Sequence, residues 1–331
     1  LTSSMAVAFR HLARSNWRPK GTLVYFGVAD EEAGGKWGAE WMLEHHREAV
    51  DADYVLTELG GWSTLDEHGT RHVTVNVGEK GLAWRRLRVG GTPGHGSAPF
   101  GSDNALVTAA EVIRRLTEFR PTAHIGDAWR AQVATLPVPA DVKAALVDPA
   151  RIDDVLGTLP VTVARGCHAQ THTTISPNIT DAGPQGKTNV IPDVVDLEVD
   201  IRTVPGTTRD DVAAMLAEAL GDLAPAVEVS ELQHSNATIC GTDNPLWDVL
   251  ARNTQAVYPG ARIAPGIVTG GTDARFYREL GKVAYGAGLF SPGMDLATFS
   301  SRFHGHDERI DVASLELVTQ FWVDVATELL S

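Results

Sequence analysis

Three adjacent carboxylic acids, Asp30, Glu31 and Glu32, follow an apolar stretch at 22–29 that is rich in β-forming residues. Neighbouring carboxylates repel one another, and burying them costs solvation free energy unless a cation or hydrogen-bond donors lie among them. Open α/β sheets bind ligands at the carboxyl ends of parallel strands, so one interpretation is a metal site with oxygen ligands. A solvated acidic turn before a helix explains the same residues, because helix N-termini favour acids.

A fourth acid, Glu58, ends the next predicted strand, 53–57. Right-handed βα units run parallel, so the carboxyl ends of the two strands meet at the same edge of the sheet. We therefore expect Glu58 to approach Glu31 and Glu32.

His304 lies in a loop before the last predicted helix, and we expect this loop to return to the first sheet. Its imidazole can complete a coordination set with Glu32 and Glu58, because catalytic zinc sites combine histidine and carboxylate ligands. Two alternatives stay open: His304 caps the loop, or His306 is the ligand instead.

His95 stands in a glycine-rich turn, GTPGHGS at 91–97. Glycine lets the backbone approach another group closely. The turn is not a P-loop, because neither Gly-Lys-Ser nor Gly-Lys-Thr follows it. Either the turn is simply tight, or it presents His95 as a donor to a substrate.

Four further positions have the chemistry to hold a substrate. Gly271 and Thr272 precede a predicted helix start, a geometry that can bind an anion, although an N-cap without a ligand has the same sequence. Arg202 could hold a carboxylate and Asn189 a carbonyl group. Ordinary polarity at a sheet edge explains these last two residues equally well.

The amino-acid composition excludes several classes of protein. The 331 residues include 28 basic and 42 acidic ones, a formal charge of −14, which argues against nucleic acid or an anionic membrane as a partner. No stretch approaches the roughly 18 apolar residues that a membrane span requires. Only two cysteines are present, so a disulfide framework is excluded. We therefore expect a soluble protein, located in the cytoplasm unless an upstream signal segment exists.

The predicted elements place these side chains in an α/β domain that is interrupted by a smaller α+β domain. We expect 1–77 and 233–331 to form the catalytic domain and 78–232 to form an inserted lid or dimerisation domain. Without a stretch at 120–165, the inserted part has the β-α-β-β-α-β order of a ferredoxin-like sandwich. The predicted strands are 22–29, 53–57, 81–89, 168–175, 194–202 and 227–232, and the predicted helices are 1–15, 37–46, 103–116, 209–220 and 312–330.

In their order along the chain, these motifs resemble the aminoacylase/carboxypeptidase family of dinuclear zinc hydrolases, relatives of acetylornithine deacetylase and succinyl-diaminopimelate desuccinylase. The matching motifs cover nearly the whole chain. They are DEEAGG at 30–35, Glu58 after its strand, GHGSAP at 94–99, NVIP at 189–192, DIR at 200–202, GTDAR at 271–275 and HGHDE at 304–308.

The resemblance implies a role for each matched residue. Glu31 corresponds to the general base that acts on a metal-bound water, Asp30 to a residue that supports the ligands, and Glu32, Glu58 and His304 to zinc ligands. His95 resembles a histidine that one subunit offers to the active site of its partner, which implies a homodimer formed through the inserted domain. Asn189, Arg202, Gly271 and Thr272 resemble substrate-holding positions.

The family also carries an upstream His-x-Asp motif and a further bridging aspartate, and this chain contains no His-x-Asp. Leu1 and Met5 already belong to a helical apolar stripe, so we expect the chain to begin inside an element. Three ligands cannot hold two zinc ions. Either an N-terminal segment with the other ligands is missing, or the chain is a degenerate homologue that is inactive as given.

Two functions follow from the resemblance. The first is a metallopeptidase or amidohydrolase that cleaves an amide bond next to a carboxylate, in an N-acyl amino acid, a dipeptide or a carboxypeptidase substrate. Two zinc ions per subunit are expected in the complete protein, and cobalt or manganese could replace zinc in a carboxylate-rich site. The second is a dimeric protein on the same scaffold that binds a small ligand or peptide without catalysis.

Overall fold

The computed structural model describes residues 1–183, 187–302, 304 and 306–331, and they divide into two compact units. The first unit comprises Leu1–Glu79, Ile125–Leu159 and Thr238–Ser331, and the second comprises Lys80–His124 and Pro160–Ala237. The mixed α/β class expected from the sequence is confirmed. Within the described parts of the chain, no helix is both long and apolar enough to cross a membrane.

The first unit surrounds a six-stranded sheet. Its strands are β1 Tyr54–Thr57, β2 Ser63–Leu65, β3 Arg71–Glu79, β10 Thr238–Ile239, β11 Arg262–Val268 and β12 Val283–Gly286. Its helices are α1 Thr2–Arg14, α2 Trp41–His45, α3 Arg47–Val50, α5 Asp127–Ala134, α6 Ala140–Leu146, α7 Ile152–Leu156, α10 Pro245–Val257, α11 Ala274–Glu279, α12 Leu296–Ser301 and α13 Val312–Leu329. A 3-10 turn, Glu31–Ala33, and a π-helical turn, Lys36–Glu40, precede α2.

Strand β3 is the centre of this sheet. It pairs in antiparallel fashion with β2, β10 and β12 and in parallel with β11, while β1 pairs in parallel with β12. Val73, Val75 and Val77 of β3 are almost completely buried, and they belong to one core together with Phe321 and Trp322 of α13. Asp311 caps this last helix, because its carboxylate accepts a hydrogen bond from the Ser314 N–H at 2.8 Å.

The second unit has a four-stranded antiparallel sheet covered by helices. Its strands are β4 Gly81–Gly90, β6 Thr174–Asp181, β8 Val194–Thr203 and β9 Val227–Ser235. A short pair forms separately from β5 Gly94–His95 and β7 Val190–Ile191, and the helices are α4 Ala105–Glu118, α8 Val161–Thr171 and α9 Arg209–Leu220.

The strand order β6-β8-β4-β9, with α4 after β4 and α9 after β8, is the ferredoxin-like topology expected from the sequence. Alternating residues explain the packing of this sheet. Val195, Leu197, Val199 and Ile201 of β8 are buried in one core with Val112 of α4, while the residues between them are more exposed.

The prediction of a strand at 22–29 is wrong, because no described residue of this stretch is part of a sheet. Its side chains have the composition of a strand, but composition reflects the fit of side chains to a half-buried surface and does not supply a pairing partner. The predicted strand 168–175 also begins too early. Residues after Pro160 form α8 first, and Thr171 Oγ1 donates to the Cys167 carbonyl at 2.8 Å within it.

The stretch 125–159 belongs to the first unit, whereas the sequence-based division placed it in the inserted domain. Packing explains this difference. Ala128 of α5 lies in the same core as β3, and Trp129 is buried with its indole N–H donating to the Leu146 carbonyl at 2.8 Å.

Candidate active site

The acidic turn at 30–35 is held by its own backbone. Asp30 adopts a left-handed conformation with φ of 73°, and its carbonyl accepts a hydrogen bond from the Gly35 N–H at 2.7 Å. The Asp30 carboxylate accepts another from the Trp37 N–H at 2.7 Å. Both the carbonyl and the carboxylate of Asp30 therefore stabilise the turn. Glu31 and Glu32 contact groups outside it.

The carboxyl groups of Glu31 and Glu58 are close enough for each to affect the pKa of the other. Burial, reinforced by the charges of Glu31, Glu32 and Asp273, raises the pKa of Glu58 to about 7. Burial and the neighbouring Glu32 also raise the pKa of Glu31. Both acids therefore hold a proton more readily than an isolated glutamate, since adjacent half-buried carboxylates repel each other when no cation lies between them.

Glu32 meets the imidazole of His304, with Oε1 and Nε2 separated by 3.2 Å. Both side chains are open to solvent, with exposed fractions of 80% for Glu32 and 56% for His304. Of the three predicted metal ligands, the structure thus joins Glu32 to His304 directly, whereas Glu58 is joined to Glu31.

The loop that carries Glu58 is positioned by close contact between backbones. At Gly60 a Cβ atom would collide with the carbonyl oxygen of Gly286, and at Gly61 it would collide with the backbone of Gly288. Gly61 also has φ of 99°, which disfavours any other residue. These glycines let the chain after β1 lie directly against the chain that follows β12.

The chemistry of these donors fits a divalent cation. Carboxylate and imidazole groups are metal ligands, and a nearby cation would offset the burial and the neighbouring negative charges that raise the pKa of Glu58. The arrangement is incomplete, because no group of three or more His, Cys, Asp or Glu side chains in the described ranges has the geometry to hold a metal ion. The described residues therefore supply pairs of ligands rather than a full set.

Sequence reasoning missed Glu79, a completely buried acid at the end of β3. Its carboxylate accepts hydrogen bonds from the Thr272 N–H at 3.1 Å, from Thr272 Oγ1 at 2.7 Å and from Arg278 Nη1 at 3.0 Å. Arg275 lies 3.8 Å away. The sequence could have indicated Glu79, because it is an acid at the end of a strand, as Glu58 is.

Thr272 is buried, and its N–H and hydroxyl donors are both engaged by Glu79, so in this structure it positions the turn. Its expected role in holding a substrate stays a prediction. Arg275 connects this turn to the acidic turn at 30–35, because its Nη2 donates a hydrogen bond to the Gly34 carbonyl at 2.6 Å. The turn at 271–272 and the acidic turn are consequently tied to one another.

Asp273 is a further acid that the sequence did not single out. Both of its carboxylate oxygens are buried, and neither has a hydrogen-bond partner within the part of the chain that the structure describes. Burial and the charge of Glu31 raise the pKa of Asp273 to about 6. Gly35 lies directly against this carboxylate, where a Cβ atom would collide with Oδ1.

In the second unit, the short pair of β5 with β7 brings His95 beside Asn189. His95 is opposite Val190, and the Gly96 N–H donates to the Asn189 carbonyl at 2.8 Å. The Ser97 N–H donates to His95 Nδ1 at 3.2 Å. Because Nδ1 is the acceptor, the neutral ring carries its proton on Nε2 and presents a donor there.

Arg202 is oriented by its neighbours in the sheet. Asp200 Oδ1 accepts from Arg202 Nε at 2.8 Å and from Trp84 Nε1 at 2.7 Å. The guanidinium carbon lies 5.8 Å from the centre of the Trp84 ring. Lys80 is also close, and its burial and the charge of Arg202 lower its pKa to about 7. Arg202 thus has a fixed direction, a requirement for recognising a carboxylate in two-point fashion.

The pKa of Glu58 leads to a test on the metal-free protein. An acid whose pKa rises on folding from 4.5 to about 7 adds stability below pH 4.5, and this contribution is lost as the pH rises through 7. We therefore expect Glu58→Gln to raise the urea midpoint at pH 8 and to change it little at pH 5. Glu44→Gln, at a position with 65% exposure, should leave both midpoints unchanged. A Glu58→Gln midpoint that follows the parent at both pH values would contradict the raised pKa of Glu58.

The chain is similar to known proteins over nearly its whole length. The sequence pattern of Peptidase family M20/M25/M40 matches residues 2–328. The chain is 29% identical over 316 residues to N-fatty-acyl-amino acid synthase/hydrolase PM20D1 of Xenopus tropicalis, which covers 91% of this chain and 59% of that protein. It is 22% identical over 331 residues to Probable carboxypeptidase S-like 2 of Dictyostelium discoideum, with 94% and 60% covered. The chain therefore spans about 60% of the length of these curated relatives.

Solved structures share the fold. An M20 family metallo-carboxypeptidase, Sso-CP2 from Sulfolobus solfataricus, has a TM-score of 0.66 at 17% identity, covering 98% of this chain and 74% of that one. Aminopeptidase PepT from Bacillus cereus has a TM-score of 0.62 at 16% identity, covering 99% and 70%.

Proposed function

Because the chain belongs to Peptidase family M20/M25/M40, we propose that the whole protein is a metal-dependent hydrolase that cleaves an amide or peptide bond next to a free carboxylate. The observation that carries this proposal is the pairing of acids at one place in the first unit. Glu31 lies beside Glu58 there, and Glu32 contacts His304. These groups have the chemistry of a general base and of metal ligands.

We infer that Glu32, Glu58 and His304 hold divalent metal, with zinc as the expected ion and two ions expected in the complete protein. Cobalt or manganese could occupy the same carboxylate-rich ligands. When bound, such ions make a water molecule more acidic and polarise the carbonyl group that is attacked. Asp30 would support these ligands indirectly, by fixing the turn that carries Glu32.

Glu31 is proposed as the general base. Burial and Glu32 raise its pKa, which moves its proton affinity toward the operating pH that suits a base. Its carboxylate would take a proton from the attacking water and return it to the leaving nitrogen. Bound cations would act in the opposite direction on this pKa, so the raised value belongs to the metal-free protein.

We propose that His95 donates its Nε2 proton to the developing oxyanion in the active site of a partner subunit. The hydrogen bond from Ser97 to Nδ1 supports this role because it leaves Nε2 as the donor. The required assembly is a homodimer formed through the second unit. Such a dimer would make each active site depend on residues from two chains.

Arg202 is the proposed partner of the free carboxylate of the substrate, and Asn189 and Gly271 would hold its carbonyl groups. Asp200 and Trp84 give Arg202 a fixed direction, which favours selection of a carboxylate over a neutral end group. An N-acyl amino acid, a dipeptide and a carboxypeptidase substrate all share this feature. The names of the two curated relatives, an N-fatty-acyl-amino acid hydrolase and a carboxypeptidase, support the same substrate class.

A binding protein without catalysis is the second candidate. The observation in its favour is that the described residues do not form a group of three or more metal-binding side chains. Arg202 and Asn189 would then serve only to hold a ligand.

One pair of substrates distinguishes these functions. The whole protein, loaded with zinc, is expected to hydrolyse an N-acyl amino acid and to act at least 100-fold more slowly on the same compound with its carboxylate converted to an amide. EDTA should abolish the activity and added zinc should restore it, with about two zinc ions per subunit. A protein that takes up no zinc and hydrolyses neither compound would contradict the enzyme and favour the binding protein.

A further inference from the structure

Arg275 is a buried cation in α11 whose hydrogen bonds reach outside its own helix. The residue is 6% exposed. Its Nη2 donates to the Gly34 carbonyl at 2.6 Å, and its Nη1 donates to the Thr272 carbonyl at 2.9 Å. The guanidinium carbon lies 4.4 Å from the centre of the Phe276 ring. Because a guanidinium is planar and its donors are fixed relative to one another, these contacts together determine its orientation.

Gly34 links this guanidinium to the backbone of Glu31. The Gly34 N–H donates to the Glu31 carbonyl at 2.9 Å, and the carbonyl of the same glycine accepts the bond from Arg275. Gly34 has φ of 103°, and the following Gly35 has φ of 67°. Glycine has more backbone freedom than any other residue, so a turn with two glycines depends on contacts from outside to keep one conformation. Arg275 supplies such a contact next to Glu31.

Phe276 supports the same turn by packing. At Gly35 a Cβ atom would come within 2.8 Å of the Phe276 ring, so the ring lies directly against the backbone of the turn. The charge of Arg275 also reaches the Glu31 side chain, since burial and Glu32 raise the pKa of Glu31 whereas Arg275 acts to lower it. Two neighbouring residues of α11 therefore contact two neighbouring residues of the turn that carries Glu31.

Arg278, on the same helix, provides a natural comparison. It is also buried, at 8% exposure, and it shares Glu79 with Arg275 as its counter-ion. Its Nε donates to the Ala284 carbonyl of β12 at 2.8 Å, and its Nη1 donates to Glu79 of β3 at 3.0 Å. Among the described residues, none of its hydrogen bonds runs to the turn at 30–35. Arg278 thus holds α11 to the sheet, whereas Arg275 holds the acidic turn to α11.

We propose that Arg275 is a positioning residue for Glu31, because it fixes the turn at 30–35 and thereby the place of the Glu31 carboxylate. This inference rests on the role of Glu31 as general base proposed above. Misplacing a reacting group by about 1 Å can lower a rate about 100-fold. Since neither Glu31 nor Arg275 is among the proposed substrate-holding residues, the effect should appear in kcat and not in KM.

Hydrogen–deuterium exchange resolved to single amides tests the geometry of the whole protein without requiring activity. Arg275→Lys keeps the positive charge, but an ammonium lacks the planar fork that bonds both carbonyls. We expect about tenfold faster exchange of the Gly34 and Gly35 amides, the effect of losing one hydrogen bond from a charged donor. Arg278→Lys should leave these two amides unchanged, although its urea midpoint should fall at least as much.

Phe276→Leu is a milder second variant. It keeps the hydrogen bonds of Arg275 and removes only the ring that packs on Gly35 and on the guanidinium. It should speed exchange of the same amides by a smaller factor, and it replaces Arg275→Lys in the test if circular dichroism shows that the latter is unfolded.

Steady-state kinetics on an N-acyl amino acid complete the test. Arg275→Lys should lower kcat about 100-fold with KM and zinc content unchanged, whereas Arg278→Lys should retain the kcat of the parent. Equal loss of kcat in the two lysine variants, or unchanged exchange of both amides in Arg275→Lys and Phe276→Leu, would overturn the positioning role. A parent protein that hydrolyses no substrate would instead contradict the proposed function, and the positioning of a general base would fail with it even if exchange shows that Arg275 holds the turn.

Discussion

Replacement of Glu31 by Gln is expected to lower kcat by a factor of about 100 to 10,000, the usual contribution of a positioned general base. Gln keeps the size and the hydrogen-bonding capacity of the side chain but cannot accept the proton of the attacking water. Because Glu31 is not among the proposed ligands, the metal content should stay unchanged. Steady-state kinetics on an N-acyl amino acid measure kcat, and metal analysis of the same sample measures the metal content.

Glu44→Gln is the matched control, since this residue follows in the same segment of the first unit and is 65% exposed. It should retain the kcat of the parent. A Glu31→Gln variant with unchanged kcat would refute the assignment of the base. A variant that loses its metal together with its activity would instead place Glu31 among the ligands.

Mixing two inactive variants extends this test to His95. A protein with His95→Ala keeps Glu31, and a protein with Glu31→Gln keeps His95. If His95 acts across the subunit boundary, a mixed dimer contains one site with both residues, so activity should reappear when the two variants are unfolded, mixed and refolded. Activity that stays absent in demonstrated mixed dimers would place His95 in the site of its own subunit or outside catalysis.

The second large effect is expected at Glu79, where substitution by Ala should destabilise the first unit by about 3–5 kcal/mol. Its carboxylate is fully buried and accepts hydrogen bonds from Arg278 and from both donors of Thr272. Removing it leaves the buried guanidinium of Arg278 without its counter-charge. Urea unfolding followed by tryptophan fluorescence measures the loss.

Glu118→Ala is the matched comparison, because Glu118 also pairs with an arginine, Arg114, but is 61% exposed. Solvent screens such a pair, so its removal should cause no measurable change of the urea midpoint. Similar losses in the two variants would show that burial does not determine the strength of the Glu79 contacts. Glu79→Gln should fall between parent and Glu79→Ala, because an amide oxygen still accepts hydrogen bonds but carries no charge.

Local patterns predicted those parts of the fold that depend on local chemistry. The ferredoxin-like order of the second unit follows from alternating apolar residues and from the helices between the strands. The approach of Glu58 to Glu31 was also expected, and the two acids do lie beside each other. The expected reason was wrong, because 22–29 forms no strand whose end could meet the end of β1.

Contacts between distant parts of the chain were harder to predict. The engagement of Thr272 by Glu79 joins residues 193 positions apart, and nothing in the motif around Thr272 specifies that its donors are already used. The stretch 22–29 also could not be predicted correctly, because its structure depends on a contact with another part of the chain. Its residues have strand-forming side chains, but a strand also needs a neighbour, and the neighbour is not a property of the stretch itself.

The glycines at 60, 61, 286 and 288 have a consequence for how this protein would respond to systematic mutagenesis. In alanine scanning, the measured loss of activity or stability is normally attributed to the side-chain atoms that the substitution removes. At Gly60 and Gly61 the same experiment adds a methyl group where another segment of backbone already lies. A strong loss of activity there would therefore report displacement of the neighbouring Glu58, and these glycines would rank among the most sensitive positions without contributing any chemical group.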